Sequence, residues 1–326
     1  MKLLAYLFSV FALLSTCSAE LPGYYKTVSR VTWVVRDVEH VKQGWIALGL
    51  SDVHDYGEIK LTGQFRGRPV VISGRRVTGQ LGNLIVEMIQ PEQGQRNAFT
   101  EFLVRHGDGI FAVVHEVPSK EAMDDEVRRM RGLGVNVLQN VVLGSGQNSV
   151  TFTYFDTEPK GKFVLGLVYS PSAAATPSGR DVISHLAPVV REWETVEAFW
   201  ESLGFPAFKM EHATPREDSR YRGKPLLLAF DVGFQHGGPI GYEWIVPPAT
   251  PLNIYADFLQ LHGEGIQHLG IPVDDLRKAV AEYEKLGYQV WQSGAWGDVG
   301  KKNSGQYDYM DTDSIGGVSV ELIHAY

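Results

Sequence analysis

Four residues in the second half of the chain have the types and spacing to hold a cation: His185, Glu243, His268 and Glu321. Each histidine lies in a short strand-like stretch. Each glutamate lies in another, 58 residues after His185 and 53 after His268. Two carboxylates offset the charge of a divalent ion, and two imidazoles add borderline-soft nitrogen donors. That mixed set suits Fe, Mn, Co, Ni or Zn better than a thiolate metal. Four donors on one ion that accepts six leave positions for water or for two substrate oxygens. A lone strand histidine is more often a hydrogen-bonded core residue. Four titratable groups at matched positions differ, because burying them together without a cation is costly.

The matching comes from internal repeats. Ser29–Asp37 (SRVTWVVRD) lines up with Ser184–Glu192 (SHLAPVVRE), 155 residues on. HGDGI at His106 lines up with HGEGI at His262, and YFDT at Tyr154 with YMDT at Tyr309. The chain therefore reads as a duplicated module: residues 28–169, a small-residue, Pro-containing linker at 170–180, and residues 181–326. The second module is itself double. His185 and His268 are each followed, 18 residues on, by Leu-Gly, at Leu203-Gly204 and Leu286-Gly287. Between them lie helical patterns, Thr195–Gly204 and Leu276–Gly287, each stopped by glycine. Strand candidates follow at 225–232, 240–246, 307–312 and 317–324. An α+β chain of four strand–helix–strands units is expected, with paired halves bringing two His and two Glu to one point.

The first module is an internal control. Its matched positions hold Arg30, Glu87, Ala112 and Gly166. Only the glutamate remains, so this module keeps the fold without the metal, and Arg30 is expected to pair with Glu87.

The chain has 326 residues, a net charge of −8 and no basic run, which argues against a nucleic-acid partner. Nothing after residue 20 is apolar enough to span a bilayer. Residues 1–19 have one positive charge, an apolar run and a small-residue exit ending at Ala19, the layout of a signal peptide that directs a protein to the periplasm or out of the cell. Lipoprotein anchoring at Cys17 is the weaker alternative. Cys17 is the only cysteine, so the exported chain would hold no disulfide.

GEGIQHLGI (Gly263–Ile271) resembles the Gly-x-Gly-(Ile/Leu)-His-His-(Ile/Leu)-Ala strand opening of the vicinal oxygen chelate superfamily. That group includes glyoxalase I, methylmalonyl-CoA epimerase and extradiol dioxygenases. Residues Tyr309–Ile323 resemble the closing strand pair of its epimerase-like members. The resemblance implies four βαβββ units in two cupped-sheet modules. It implies His185, His268 and Glu321 as shared ligands of one divalent metal ion, with Glu243 as the fourth ligand of glyoxalase and epimerase types. Gln267 departs from the pattern, standing where the first histidine of the pair is usual.

The first functional reading is isomerase, epimerase or lyase chemistry through a metal-stabilised enolate, with Glu321 or Glu243 as the catalytic base. The substrate would be small and oxygenated, and an aromatic one is compatible with the tryptophans and tyrosines of the second module. The alternative is a non-haem Fe(II) ring-cleaving dioxygenase using His185, His268 and Glu321. His236, His262, Tyr307 and Tyr309 are candidates to stand behind the ligands. A third reading is a small-molecule-binding resistance protein. A homodimer is compatible with the chain but not needed to complete a site.

Overall fold

The computed structural model describes residues 20–171 and 183–326. The expected leader (1–19) and most of the expected linker (172–180) lie outside the described residues. The first unit runs β1 (Arg30–Val34), α1 (Val38–Ala47), β2 (Ser51–Phe65), β3 (Arg68–Leu81) and β4 (Leu84–Pro91). Helix α2 (Ala98–His106) leads into the second: β5 (Gly109–Glu116), α3 (Lys120–Gly132), β6 (Val137–Leu143), β7 (Val150–Phe155), α4 (Glu158–Gly161) and β8 (Val164–Tyr169). The third unit is β9 (His185–Val189), α5 (Glu194–Ser202), β10 (Lys209–Ala213), the two-residue strands β11 (Arg220–Tyr221) and β12 (Lys224–Pro225), β13 (Phe230–Gln235) and β14 (Gly241–Val246). Helix α6 (Ile254–Leu261) opens the fourth: β15 (Gly265–Pro272), α7 (Leu276–Lys285), β16 (Val290–Trp296), β17 (Gly305–Met310) and β18 (Ser319–Ala325). These are the βαβββ units of two cupped-sheet vicinal oxygen chelate modules.

Local chemistry explains the helix starts. Asp37, Ser119 and Asp275 cap α1, α3 and α7 by accepting backbone N–H bonds. Asn97 and Asn253 do the same for α2 and α6. The expected strand at 225–232 starts later, at Phe230, because Pro225 ends the β11–β12 hairpin and Leu226–Ala229 run without a ladder.

In every unit the first strand pairs in parallel with the last: β1 with β4, β5 with β8, β9 with β14, β15 with β18. The two first strands of each module pair antiparallel, β1 with β5 and β9 with β15. Both of these pairs carry a bulge. In β15 the extra residue is Gln267; in β5 it is Phe111. A bulge breaks the strict alternation of a strand, and Ile266, Gln267 and His268 are all buried in succession.

The modules differ in closure. In the first, β2 pairs with β6, and eight strands close a full ring. Its interior is packed with side chains such as Phe99, Phe111, Phe152 and Tyr154. In the second, β10 pairs only with β13 among the described residues, and β16 pairs with β17 and the short β11. A seam therefore stays open between β10 and β16. One hydrophobic core runs through both modules, from Trp33 and Trp45 to Trp200 and Trp244. No helix among the described residues is long and apolar enough to cross a membrane.

Candidate metal centre

His185 opens β9, Glu243 is central in β14, His268 is in β15 and Glu321 in β18. The parallel registers place them: His185 lies opposite Gly241, two residues before Glu243, and His268 opposite Ser319, two before Glu321. Same-face neighbours in a strand are two apart, so each glutamate lands beside its histidine. The antiparallel β9–β15 pair then joins the halves.

The four side chains meet at one point. His185 Nε2 is 3.4 Å from His268 Nε2, 3.1 Å from Glu321 Oε2 and 3.4 Å from Glu243 Oε2. His268 Nε2 is 3.2 Å from Glu243 Oε2 and 3.4 Å from Glu321 Oε2. One donor atom from each residue lies within 4.8 Å of all the others. Metal bonds of about 2.0–2.2 Å at angles between 90° and tetrahedral put neighbouring ligand atoms about 2.8–3.6 Å apart. These five distances fall in that window.

The rings are held in the ligating form. His268 Nδ1–H donates to Gln267 Oε1 at 2.6 Å. His185 Nδ1–H donates to Ser184 Oγ at 3.2 Å, and that hydroxyl donates to the Gly270 carbonyl at 3.2 Å. Both Nε2 lone pairs are thus turned to the centre, the usual arrangement behind a metal-bound histidine. Gly270 makes room for this: a Cβ there would lie 2.1 Å from His185 Cε1.

Electrostatics ask for a positive charge at the centre. Burial pulls the His185 imidazole down, but Glu243 and Glu321 outweigh it and raise its pKa to about 10. Burial pushes both carboxyls up, and Glu243 pushes Glu321 up further; the two histidines overcome this and hold both below the usual carboxylate range. Two nitrogen and two carboxylate donors, correctly spaced and oriented around a point that demands a cation, fit one divalent metal ion.

The centre lies on the wall of a cavity of about 880 Å³. Phe230, Val232 and Phe234 of β13, Ile245 and Ile323 make its apolar wall, and β10 and Ala295–Gly297 line both sides of the open seam. Tyr255, Tyr307 and Tyr309 also line it. Tyr255 and Tyr309 share a 2.9 Å hydrogen bond, and the Tyr309 ring meets His268 edge-on at 4.9 Å. Burial first, then Glu321, raises the Tyr307 hydroxyl well above its ordinary pKa, so it stays a donor.

The other expected neighbours fall elsewhere. His262 sits at the module junction, where its Nδ1–H donates to the His106 carbonyl at 2.7 Å and its Nε2 meets Asp313 at 3.1 Å. His106 returns the bond to the His262 carbonyl at 2.6 Å. The paired HGDGI and HGEGI stretches therefore join modules rather than serve the centre. His236 is exposed and stacks on Phe234. Tyr242 and Trp244 face the core, packed with Phe163, as strand alternation around Glu243 requires. Of the second module's tryptophans only Trp296 lines the cavity. Ser184, Tyr255 and Gly270 escaped the sequence reading; the first and last are ordinary small residues there, and Tyr255 hides in a helix pattern.

In the first module Arg30 approaches Glu87 at 3.9 Å, as expected, but Arg76 of β3 is closer, its Nε donating at 2.8 Å. Guanidinium groups supply the positive charge there.

Residues 184–304 match the glyoxalase/bleomycin resistance protein/dioxygenase superfamily. The 4-hydroxyphenylpyruvate dioxygenase of Dictyostelium discoideum is 21% identical over 233 residues, 63% of this chain and 60% of that protein. The match thus spans less than two thirds of that relative. A triple mutant of 4-hydroxymandelate synthase from Streptomyces coelicolor superposes with a TM-score of 0.63 at 18% identity, covering 92% of each chain. A xylose isomerase-like TIM barrel/4-hydroxyphenylpyruvate dioxygenase fusion protein gives 0.50 at 14% identity, covering 92% of this chain and 48% of that one. The chain has the vicinal oxygen chelate fold through both modules, and the likeness to the glyoxalase/bleomycin resistance protein/dioxygenase superfamily lies in its C-terminal module, residues 184–304.

Proposed function

We propose that the chain is a divalent-metal enzyme that takes a small oxygenated, aromatic substrate by two neighbouring oxygens and moves a proton at the adjoining carbon. Isomerase, epimerase or lyase chemistry would follow. The observation that carries this reading is Glu243, whose Oε2 stands 3.2 Å from His268 Nε2 as a fourth donor. Four protein donors leave two positions, enough for two substrate oxygens and none for dioxygen.

A bound divalent ion would supply Lewis-acid polarisation of the substrate oxygens. The rest falls to the chain. His268, fully buried, and Glu321, 6% exposed, anchor the centre. Glu243 is the more open carboxylate at 14% and faces the cavity, so its carboxylate is the group placed to take a carbon-bound proton and return it. Tyr307 keeps its proton and offers a hydrogen bond from the wall. Phe230, Val232, Phe234 and Ile245 exclude water and match an aromatic ring.

Incubation of candidate substrates with the metal-loaded enzyme in deuterated buffer is expected to exchange the proton beside the oxygens. Glu243→Gln should abolish that exchange. Turnover that consumes dioxygen, with no exchange, would sink the reading.

The likeness to 4-hydroxyphenylpyruvate dioxygenase over 63% of this chain favours a second reading, a non-haem Fe(II) dioxygenase with His185, His268 and Glu321 as the triad. Glu243 would then stand behind the ligands, and Glu243→Ala should keep both metal and dioxygen uptake.

A further inference from the structure

We propose that the N-terminal module positions the metal carboxylate of the C-terminal module, acting through the turn that launches β18. The inference rests on reading His185, Glu243, His268 and Glu321 as ligands. It gives the metal-free module a task in the site it does not line.

Glu321 is the third residue of β18. The strand is launched by a short 3-10 turn, Asp313–Ile315, followed by Gly316 and Gly317. Three successive carbonyls of this turn accept hydrogen bonds from the first module. His40 Nε2 donates to Ser314 at 3.2 Å, Trp45 Nε1 to Ile315 at 2.8 Å and Trp33 Nε1 to Gly316 at 2.6 Å. Packing fixes the same residues. A Cβ on Gly44 of α1 would lie 2.6 Å from Ile315 Cγ2, so the helix backbone rests directly on that side chain. A Cβ on Gly317 would lie 1.9 Å from the Asp108 carbonyl oxygen, and its φ of +71° suits glycine alone. Every residue from 314 to 317 is therefore held from the other module.

Indole N–H groups buried against carbonyls resist displacement, since breaking them leaves two unsatisfied polar groups. Shifts at the turn travel along β18, which is paired to β15 on one side and β17 on the other. Glu321 Oε2 must stay about 3 Å from two imidazole nitrogens, a tolerance that a displacement of a few tenths of an ångström would spoil.

The fold contains its own control. Trp200 of α5 donates to the Gly161 carbonyl at 3.2 Å. Trp45 and Trp200 stand 155 residues apart and their acceptors, Ile315 and Gly161, stand 154 apart, so each module grips a nearly matched turn of the other. But Gly161 precedes β8, where the residue matching Glu321 is Gly166. That grip leads to no ligand.

The test compares Trp45→Phe with Trp200→Phe. Each removes one N–H donor and keeps an aromatic ring. Metal-stripped proteins are titrated calorimetrically with Zn(II). Trp45→Phe is expected to weaken binding about 3- to 10-fold, within the range of distant couplings. Trp200→Phe should change it less than about 2-fold at a comparable loss of melting temperature. Equal weakening by both, or by neither, would overturn the proposal. Should Trp45→Phe not fold, His40→Ala removes the exposed bond to Ser314 and reads the same coupling. Wild-type protein that takes up no Zn(II) would instead refute the ligand assignment, a distinct result.

Discussion

At the residue scale, a bulge explains how two successive residues, Gln267 and His268, both serve the centre. Strand alternation alone cannot put Gln267 and His268 on one side. The extra residue in β15 lets both turn inward, and Gln267 then holds the His268 ring through Nδ1. The same bulge in β5 points Phe111 into a filled core. Gln267→Leu should therefore keep the fold but weaken metal binding about 10- to 100-fold, the range for groups behind a ligand, as read by equilibrium dialysis. Gly270→Ala should act more severely, because its methyl would occupy the His185 ring; metal content of the purified variant should fall to near zero while far-UV circular dichroism is unchanged. The ligand types and spacings could be read from the sequence because the repeat exposed them. The bulge could not, since it depends on which residue of the partner strand is skipped.

At the element scale, the apolar patterns revealed two of the seven described α-helices, α5 and α7, and strands of the second module such as β14 and β18. Pairing was harder to read. The 225–232 stretch is apolar yet half of it, Leu226–Ala229, lies outside a ladder, because tertiary contacts around Leu226 and Leu228 use it as core. Strand β17 shows how its two faces divide the work. Tyr307 and Tyr309 line the cavity, while Asp308 faces outward, in the field of Glu284 on α7. Burial first, then Glu284, raises its pKa from 3.8 to about 6. The folded state thus binds a proton more tightly than the unfolded one, and this group's contribution to stability is full below pH 3.8 and lost as pH rises to about 6. Asp308→Asn should stabilise the protein at neutral pH by about 1–2 kcal/mol, allowing for partial exposure. Urea melts across that window should show the wild type losing stability with pH more steeply than the variant; parallel curves would refute the assignment.

At the scale of the whole molecule, one core and reciprocal hydrogen bonds bind the modules together. Unfolding should therefore be a single transition, and metal should raise it for both modules at once. At a free metal concentration of 100 times Kd the gain should be about 2.7 kcal/mol. Calorimetry showing two transitions, with only one moved by metal, would contradict this. The modular plan was legible in three matched stretches; the junction was not, because its indole and histidine contacts join residues far apart in sequence. The open seam of the second barrel has a cost of its own. A closed ring of strands has no free edge, but the gap leaves the outer side of β10 without a partner among the described residues, a template on which another chain could add a strand. This strand is only five residues long and exposes Lys209, Glu211 and His212. Short length and charge discourage such pairing, so the residues at the cavity mouth also guard the protein against self-association, a duty its sealed sister module never acquires.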